Sequence, residues 1–469
     1  MTHTACPTAP AIHSGSTRRY THAALGHRAS FWVSAGVVAH TLWTSAAPAM
    51  TYRLYASEWH LTPTTTAEIF AIYPIVVVSV LILFGGLSDQ IGRRATMLLG
   101  LSASFLGALI LALAHDISWL FLARAFMGVG VGLTAGPSTA AMVESNESGA
   151  PRRASVVATA AQAAGFAAAL IIGGALTQYA PWPLHLVFWL LALLIAALFS
   201  VTWFLPLPAE RGAARGWTPS LPSVPQSARK AFMVAAVAMI TAYTHGVMIL
   251  SLGGQIAHDL VRSPNTLVDG SILAVFAITS GIVSLLGKSL STRAAMIAGA
   301  AASGAGMGLL AVATALHTMT FFLSATAITG AGYSLLFLSA LEVINGATPV
   351  ERRGGTLSAL YLLGYLAVGV LAPILGRVAT VHGLGFAVYL GASVIAALSS
   401  ATLALALGLR RMAKDERRRF PTETPNLLRL AASQTCTRDG PATERTDEGC
   451  PALDVLRRPS RTGHCVRQW

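Results

Sequence analysis

Charge is what this sequence has least of: only 11% of its 469 residues are Asp, Glu, Lys or Arg, where soluble domains carry roughly a quarter. With 54% of residues hydrophobic, a soluble fold would be left with bare apolar surface. Cysteine is nearly missing as well. The four present, Cys6, Cys436, Cys450 and Cys465, all fall in the terminal segments and form no C-x-x-C pair, so free thiols are expected, with no metal site and no disulfide framework. Neither H-E-x-x-H nor G-x-S-x-G occurs, which removes the two plainest intramembrane enzyme constellations. Ten-residue alternating strands are lacking too, which excludes a membrane barrel. The net charge of +13 is not gathered into a soluble basic domain, so no nucleic-acid partner is expected.

What is present is a series of apolar blocks about 20 residues long, the length of helix that crosses a hydrocarbon core of roughly 30 Å. They predict an all-α integral membrane protein with twelve transmembrane helices, over 31–50, 67–87, 95–114, 119–143, 155–179, 183–205, 231–253, 268–287, 294–316, 319–345, 356–380 and 384–409. Segment 206–230, rich in Pro, Arg and Ser, reads as a linker. The expected organisation is a cytoplasmic tail 1–30, a six-helix bundle 31–205, the cytoplasmic linker 206–230, a second six-helix bundle 231–410, and a charged, aperiodic cytoplasmic tail 411–469 expected to be disordered. Arginines and lysines crowd the loops on one side, Arg93, Arg94, Arg152, Arg153, Arg293, Arg352 and Arg353 among them. The positive-inside rule then puts both termini in the cytoplasm. A monomer in the cell (inner) membrane is expected, with the lipid bilayer and a small molecule as partners.

The two halves repeat. Aligning 94–114 with 293–313 superposes Arg94 on Arg293, Met97 on Met296, Gly100 on Gly299, Ser104 on Ser303 and Gly107 on Gly306. The pair Arg152-Arg153 recurs as Arg352-Arg353. Duplicated bundles of this kind hold a site at the interface of their repeats and rock about it.

One charged knot interrupts the grease. "GGLSDQIGRR" contains Gly85, Leu87, Asp89, Gly92, Arg93 and Arg94 and closely resembles the loop signature of the major facilitator superfamily, G-x-L-x-D-R-x-G-R-[KR], with Gln90 in place of one Arg. Gly92 can take positive φ in so short a reversal, and Gly85 would admit a neighbouring helix. The resemblance implies a conformational latch in which Asp89 answers the start of the eleventh span, with Arg152, Arg153, Arg352 and Arg353 nearby. "RAFMGVGVG" resembles the family's R-x-x-x-G-x-G through Arg124, Gly128 and Gly130. In the fifth span Gly165, Gly173 and Gly174 match a third pattern in part, since Ala169 and Leu170 stand where drug/proton antiporters carry Gly-Pro.

The ionisable groups well inside spans are His40, Arg124, His245 and Glu342. Charges avoid lipid, and these spans line the central cavity in the resembled family, so the four are candidates for the cavity and for coupling. A histidine titrates near neutral pH, or else is simply hydrogen-bonded to a neighbouring helix. Trp43, Tyr73, Tyr243, Tyr333, Tyr361 and Tyr365 are candidates for a substrate wall, or for packing alone. The implied function is secondary active transport of a small organic solute, by proton-coupled efflux with no cofactor beyond the proton gradient. Proton-coupled uptake of an organic anion and a non-transporting membrane sensor are the alternatives. With no acid near the middle of any span, the expected cavity is neutral to positive and favours anionic or neutral amphipathic solutes.

Overall fold

The computed structural model describes residues 25–147, 151–206, 224–260, 262–348 and 353–419. Among them the regular structure is helical throughout, without strands. The long helices, in chain order, are α1 (His27–Ala46), α2 (Pro63–Phe84), α3 (Arg93–Ala112), α4 (Ile117–Glu144), α5 (Pro151–Tyr179), α6 (Leu186–Thr202), α7 (Arg229–Gly246), α8 (Thr266–Leu286), α9 (Thr292–Leu316), α10 (Met319–Ala347), α11 (Arg353–His382) and α12 (Leu384–Arg419). Ten of them are long and apolar enough to cross a membrane. The other two are α6, at 17 residues, and α1, whose 20 residues are diluted by His27, Arg28, Ser30, Ser34 and His40. The chain is thus a multi-pass membrane protein.

Local chemistry sets the helix ends. Thr62, Asp116, Asn265 and Ser291 each accept a hydrogen bond from a backbone N–H in the first turn of α2, α4, α8 and α9, satisfying donors that a helix start leaves open. Between α2 and α3 Gly92 stands at φ 91°, a conformation that a Cβ would oppose. Two ends differ from the sequence expectation. The seventh span stops as an α-helix at Gly246 and continues as π-helical turns over Val247–Ser251 and Ile256–Leu260, where Gly253 and Gly254 weaken helical order. At the other extreme α12 runs on to Arg419, because Arg410–Arg419 is rich in Arg, Lys, Glu and Ala, all good helix formers. The terminal segments, with all four cysteines, and most of the linker lie outside the described residues.

The repeat seen in the sequence recurs as paired contacts. Arg94 Nη1 donates to the Leu205 carbonyl at 3.2 Å, and Arg293 Nε donates to the Ala406 carbonyl at 2.9 Å. Each arginine thereby ties the first turn of its own helix to the last span in its half of the chain, Arg94 just past the end of α6 and Arg293 within α12. A Cβ on Gly130 would strike the Gly100 carbonyl, and one on Gly332 the Ser303 backbone nitrogen; these glycines let α3 meet α4, and α9 meet α10, backbone to backbone.

The halves meet along a seam at the end of the molecule opposite these arginines. There the Thr64 N–H donates to Thr380 Oγ1 at 3.0 Å, the Thr266 N–H to Gln178 Oε1 at 2.8 Å, and Asn265 Nδ2 to the Tyr179 hydroxyl at 2.8 Å. Glycines make the fit. A Cβ on Gly376 would lie 2.5 Å from Ala67 Cβ, one on Gly174 2.7 Å from the Thr266 carbonyl, and one on Gly270 on top of the Leu170 carbonyl.

Candidate functional site

Between the halves, at mid-depth, lies a cavity. Its wall in the first half comes from Leu42 and Ser45 on α1, Phe70, Tyr73 and Pro74 on α2, and Thr159, Gln162 and Phe166 on α5. The second half adds Tyr243 and Gly246 on α7, Phe276, Ser280 and Ser284 on α8, Tyr333, Ser334 and Phe337 on α10, and Tyr365 on α11. The lining reaches Ser284, close to where α8 ends at Leu286. The far seam closes the cavity's other side.

Aromatic rings dominate the second-half wall. Tyr333 stacks on Phe337, one turn along α10, with centroids 5.8 Å apart and planes at 12°, and lies 5.3 Å from Phe276. Tyr243 meets Tyr365 edge-on at 5.0 Å. Tyr73, Tyr243, Tyr333 and Tyr365 therefore line the cavity. Tyr361 stands behind the wall with its ring 6.2 Å from Phe337, and Trp43 packs against the core without lining the cavity. The phenylalanines Phe70, Phe166, Phe276 and Phe337, together with Gln162, escaped the sequence reading. Their spacing was the available signal, because Phe70 and Tyr73 share a helix face, as do Tyr333 and Phe337.

None of His40, Arg124, His245 and Glu342 lines the cavity, and each departs from the expected place for a physical reason. Arg124 is 0% exposed. Its Nη1 donates to the Ser45 carbonyl at 3.4 Å, and its guanidinium lies 4.5 Å from the Tyr73 ring centroid and 5.7 Å from that of Phe70. It stands one ring behind the wall. His40 is buried in α1, and among the described residues neither ring nitrogen bonds to another helix. His245 is bonded at both nitrogens, Nδ1 to the Ala242 carbonyl at 3.1 Å and Nε2 to Ser303 Oγ at 2.8 Å; Ser399 Oγ in turn reaches Ser303 Oγ at 3.0 Å. It ties α7 to α9 and α12. Glu342 is exposed at the end of α10, where its Oε2 accepts from Thr292 Oγ1 at 2.8 Å.

A satisfied buried network carries a stability consequence. His245→Ala should strand the Ser303 hydroxyl and open a void, at a cost of about 1–3 kcal/mol. The melting midpoint of the purified protein is expected to fall by several degrees. An unchanged midpoint would contradict the structural role.

In the charged knot, Leu87 opens a short helical turn, Leu87–Gln90. Arg93 pairs with Glu144 at 3.5 Å and donates to Ser88 Oγ at 2.5 Å, and Arg94 lies over the Trp203 ring at 5.3 Å. Arg153 is exposed, with its guanidinium 5.6 Å from the Phe31 ring. The side chains of Asp89, Arg152 and Arg353, and the whole of Arg352, lie outside the described residues. Gly85 differs from expectation: a Cβ there would meet only the Leu81 carbonyl of its own helix, so it seats no neighbour. Gly128 and Gly130 receive α2 and α3, Gly165 receives the Ala39 carbonyl of α1, Gly174 receives α8, and Gly173 has only ordinary contact with Met50. Glu144 and Glu342 occupy matching places in the two halves, one ion-paired to Arg93 and one hydrogen-bonded to Thr292. Among the described residues the buried acid on a long helix is Asp269, in the first turn of α8. No group of metal-binding side chains occurs among them either.

Residues 32–254 match the profile of the Major Facilitator Superfamily. The chain is similar to the multidrug efflux pump LfrA of Mycolicibacterium smegmatis, 30% identical over 28% of this chain and 26% of the relative. It is also similar to the puromycin resistance protein pur8 of Streptomyces alboniger, 32% identical over 26% of this chain and 24% of the relative. The chain thus spans about a quarter of the length of these curated relatives. In fold it resembles a point mutant of the nucleoside transporter NupG, with a TM-score of 0.67 and 13% identity over 81% of this chain and all of that one. A POT family transporter in complex with 5-aminolevulinic acid follows at 0.65 and 14%, over 81% of this chain and 96% of that one.

Proposed function

We propose, from the match of residues 32–254 to the Major Facilitator Superfamily, a family of transporters and not of enzymes, that the chain exports a small organic solute by alternating access, driven by the proton gradient. On this reading α1 and α6 complete a set of twelve spans, arranged as six-helix bundles over 31–205 and 231–410 and joined by the cytoplasmic linker 206–230. The arginine-bearing end faces the cytoplasm of the cell (inner) membrane, as do both termini. The observation that carries the proposal is the cavity itself: both halves line it, and it is closed at the far seam and lined almost to the end of α8 on the arginine side. That is the inward-facing half of a rocking cycle. Each chain holds a whole cavity, which supports action as a monomer.

Export is supported by the likeness to LfrA, a multidrug efflux pump. For proton coupling His40 is the better candidate of the two histidines, because its ring is not tied to another helix, whereas that of His245 is bonded to Ser303 on α9. Accumulation of a fluorescent aromatic solute in cells decides the direction. Expressing cells should retain several-fold more solute when an uncoupler collapses the gradient. Less retention would make the protein an importer, and no response would remove proton coupling.

A further inference from the structure

Taking the cavity as the solute site, as proposed above, we infer that it selects flat aromatic anions and that Arg124 sets this preference from behind the wall. Arg124 is fully buried, its Nε and Nη2 have no hydrogen-bond partner, and it forms no ion pair among the described residues. A buried charge without a counter-charge keeps its field, because neither water nor a carboxylate screens it. The field leaves through Tyr73 and Phe70, whose rings the guanidinium contacts at 4.5 and 5.7 Å and which themselves line the cavity. One ring separates the cation from the solute.

Two consequences follow for the solute. Tyr73 and Phe70 already serve a cation on their hidden side, so they make a poor cage for a second one. On the open side no lining side chain carries a formal charge, while the Tyr73 and Ser45 hydroxyls and the Gln162 amide offer donors to an acidic head. Across the cavity Phe276, Tyr333 and Phe337 form a basket that fits a flat ring. An aromatic acid would set its head toward Ser45 and Tyr73 and its ring into that basket. At an effective dielectric of about 20, a charge one ring beyond Arg124 keeps enough attraction for a preference of about tenfold over a neutral isostere. Arg124 is here a positioning residue, acting through Tyr73.

Three probes of one shape test this on the purified full chain: 2-naphthoate, 2-naphthamide and trimethyl(2-naphthyl)ammonium, with dissociation constants read by calorimetry. Naphthoate should bind about tenfold tighter than the amide, and the ammonium weakest. In Arg124→Gln the acid should fall to the level of the amide, whose own affinity stays put, and Arg124→Lys should restore the preference. Tightest binding of the ammonium would overturn the inference, as would equal weakening of all three probes in Arg124→Gln, which is what a purely structural arginine would give. If the probes bind without preference for charge, the cavity stands as the solute site and the anion selectivity falls. If none binds the wild type, the cavity itself loses its role, and the selectivity goes with it.

Discussion

Gly270→Val is expected to abolish transport while the protein still reaches the membrane, and to hold the cavity open toward the far side. A Cβ at Gly270 falls on the carbonyl of Leu170, a backbone atom that no rotamer change can move. Overpacking of this kind costs roughly 1–3 kcal/mol, and every 1.4 kcal/mol is about a tenfold change in population. The position matters more than the size of the penalty. Gly174, Gly270 and Gly376 all pinch the two halves together at the far seam, whereas Gly85 and Gly86, near the arginine end, meet no neighbouring helix. Added bulk at the seam therefore opposes the closed state alone. Valine, with two more carbons than alanine, also forces apart the seam bonds of Gln178 with Thr266 and of Asn265 with Tyr179. Because no cysteine occurs from residue 25 to residue 419, Ser45→Cys would place a unique thiol on the cavity wall once the tail cysteines are replaced. A membrane-impermeant maleimide supplied from outside should label it at least tenfold faster in Gly270→Val, in proportion to the shifted population. Unchanged labelling together with wild-type transport would show that the seam is no gate. Gly174→Ala, a milder wedge, should lie between the two.

What could be read before the structure, and what could not, follows from how membrane helices carry information. Span existence was legible because lipid demands unbroken apolar length, and the repeat was legible because Arg94 and Arg293 each donate to a backbone carbonyl of the last span in their half. Facing was not. His245 sits on a span where cavity residues are expected, yet Ser303 and Ser399 claim it from the other side, and only the neighbouring helices reveal that. Arg124 is too polar for lipid and lies buried within the protein, but a residue's distance from a cavity by one ring has no sequence signature. The phenylalanines escaped because an apolar residue in an apolar span carries no contrast of composition, which leaves only the helical spacing of Phe70 and Phe337 from Tyr73 and Tyr333 as a signal. Glu342 falls inside the predicted span 319–345, whereas Glu144 falls just beyond the predicted span 119–143. Register places both at equivalent spots against the starts of α3 and α9.

Tyr333 should be the wall residue whose loss weakens solute binding most. It stands at the centre of the second-half basket, stacked on Phe337 and against Phe276, so its removal takes away its own face and the support of two others. A buried aromatic of this kind behaves as a hot spot worth about 2–4 kcal/mol on truncation, or a loss of about 30-fold or more in affinity. Tyr333→Phe keeps the ring and should lose no more than about 1 kcal/mol, the net worth of one hydrogen bond from its hydroxyl. Tyr361→Ala removes a ring of the same chemistry that only backs Phe337 from behind, and Trp43→Ala removes one outside the lining altogether. Both should leave the affinity within a few-fold of wild type, with any effect seen in thermal stability instead. The contrast is the test, because all four variants alter one aromatic on a membrane helix. Titration of an aromatic probe into each purified variant orders them. If Tyr361→Ala or Trp43→Ala abolished binding while Tyr333→Ala kept it, the solute would have to sit outside the Phe276, Tyr333 and Phe337 basket, on the far side of the α10 wall.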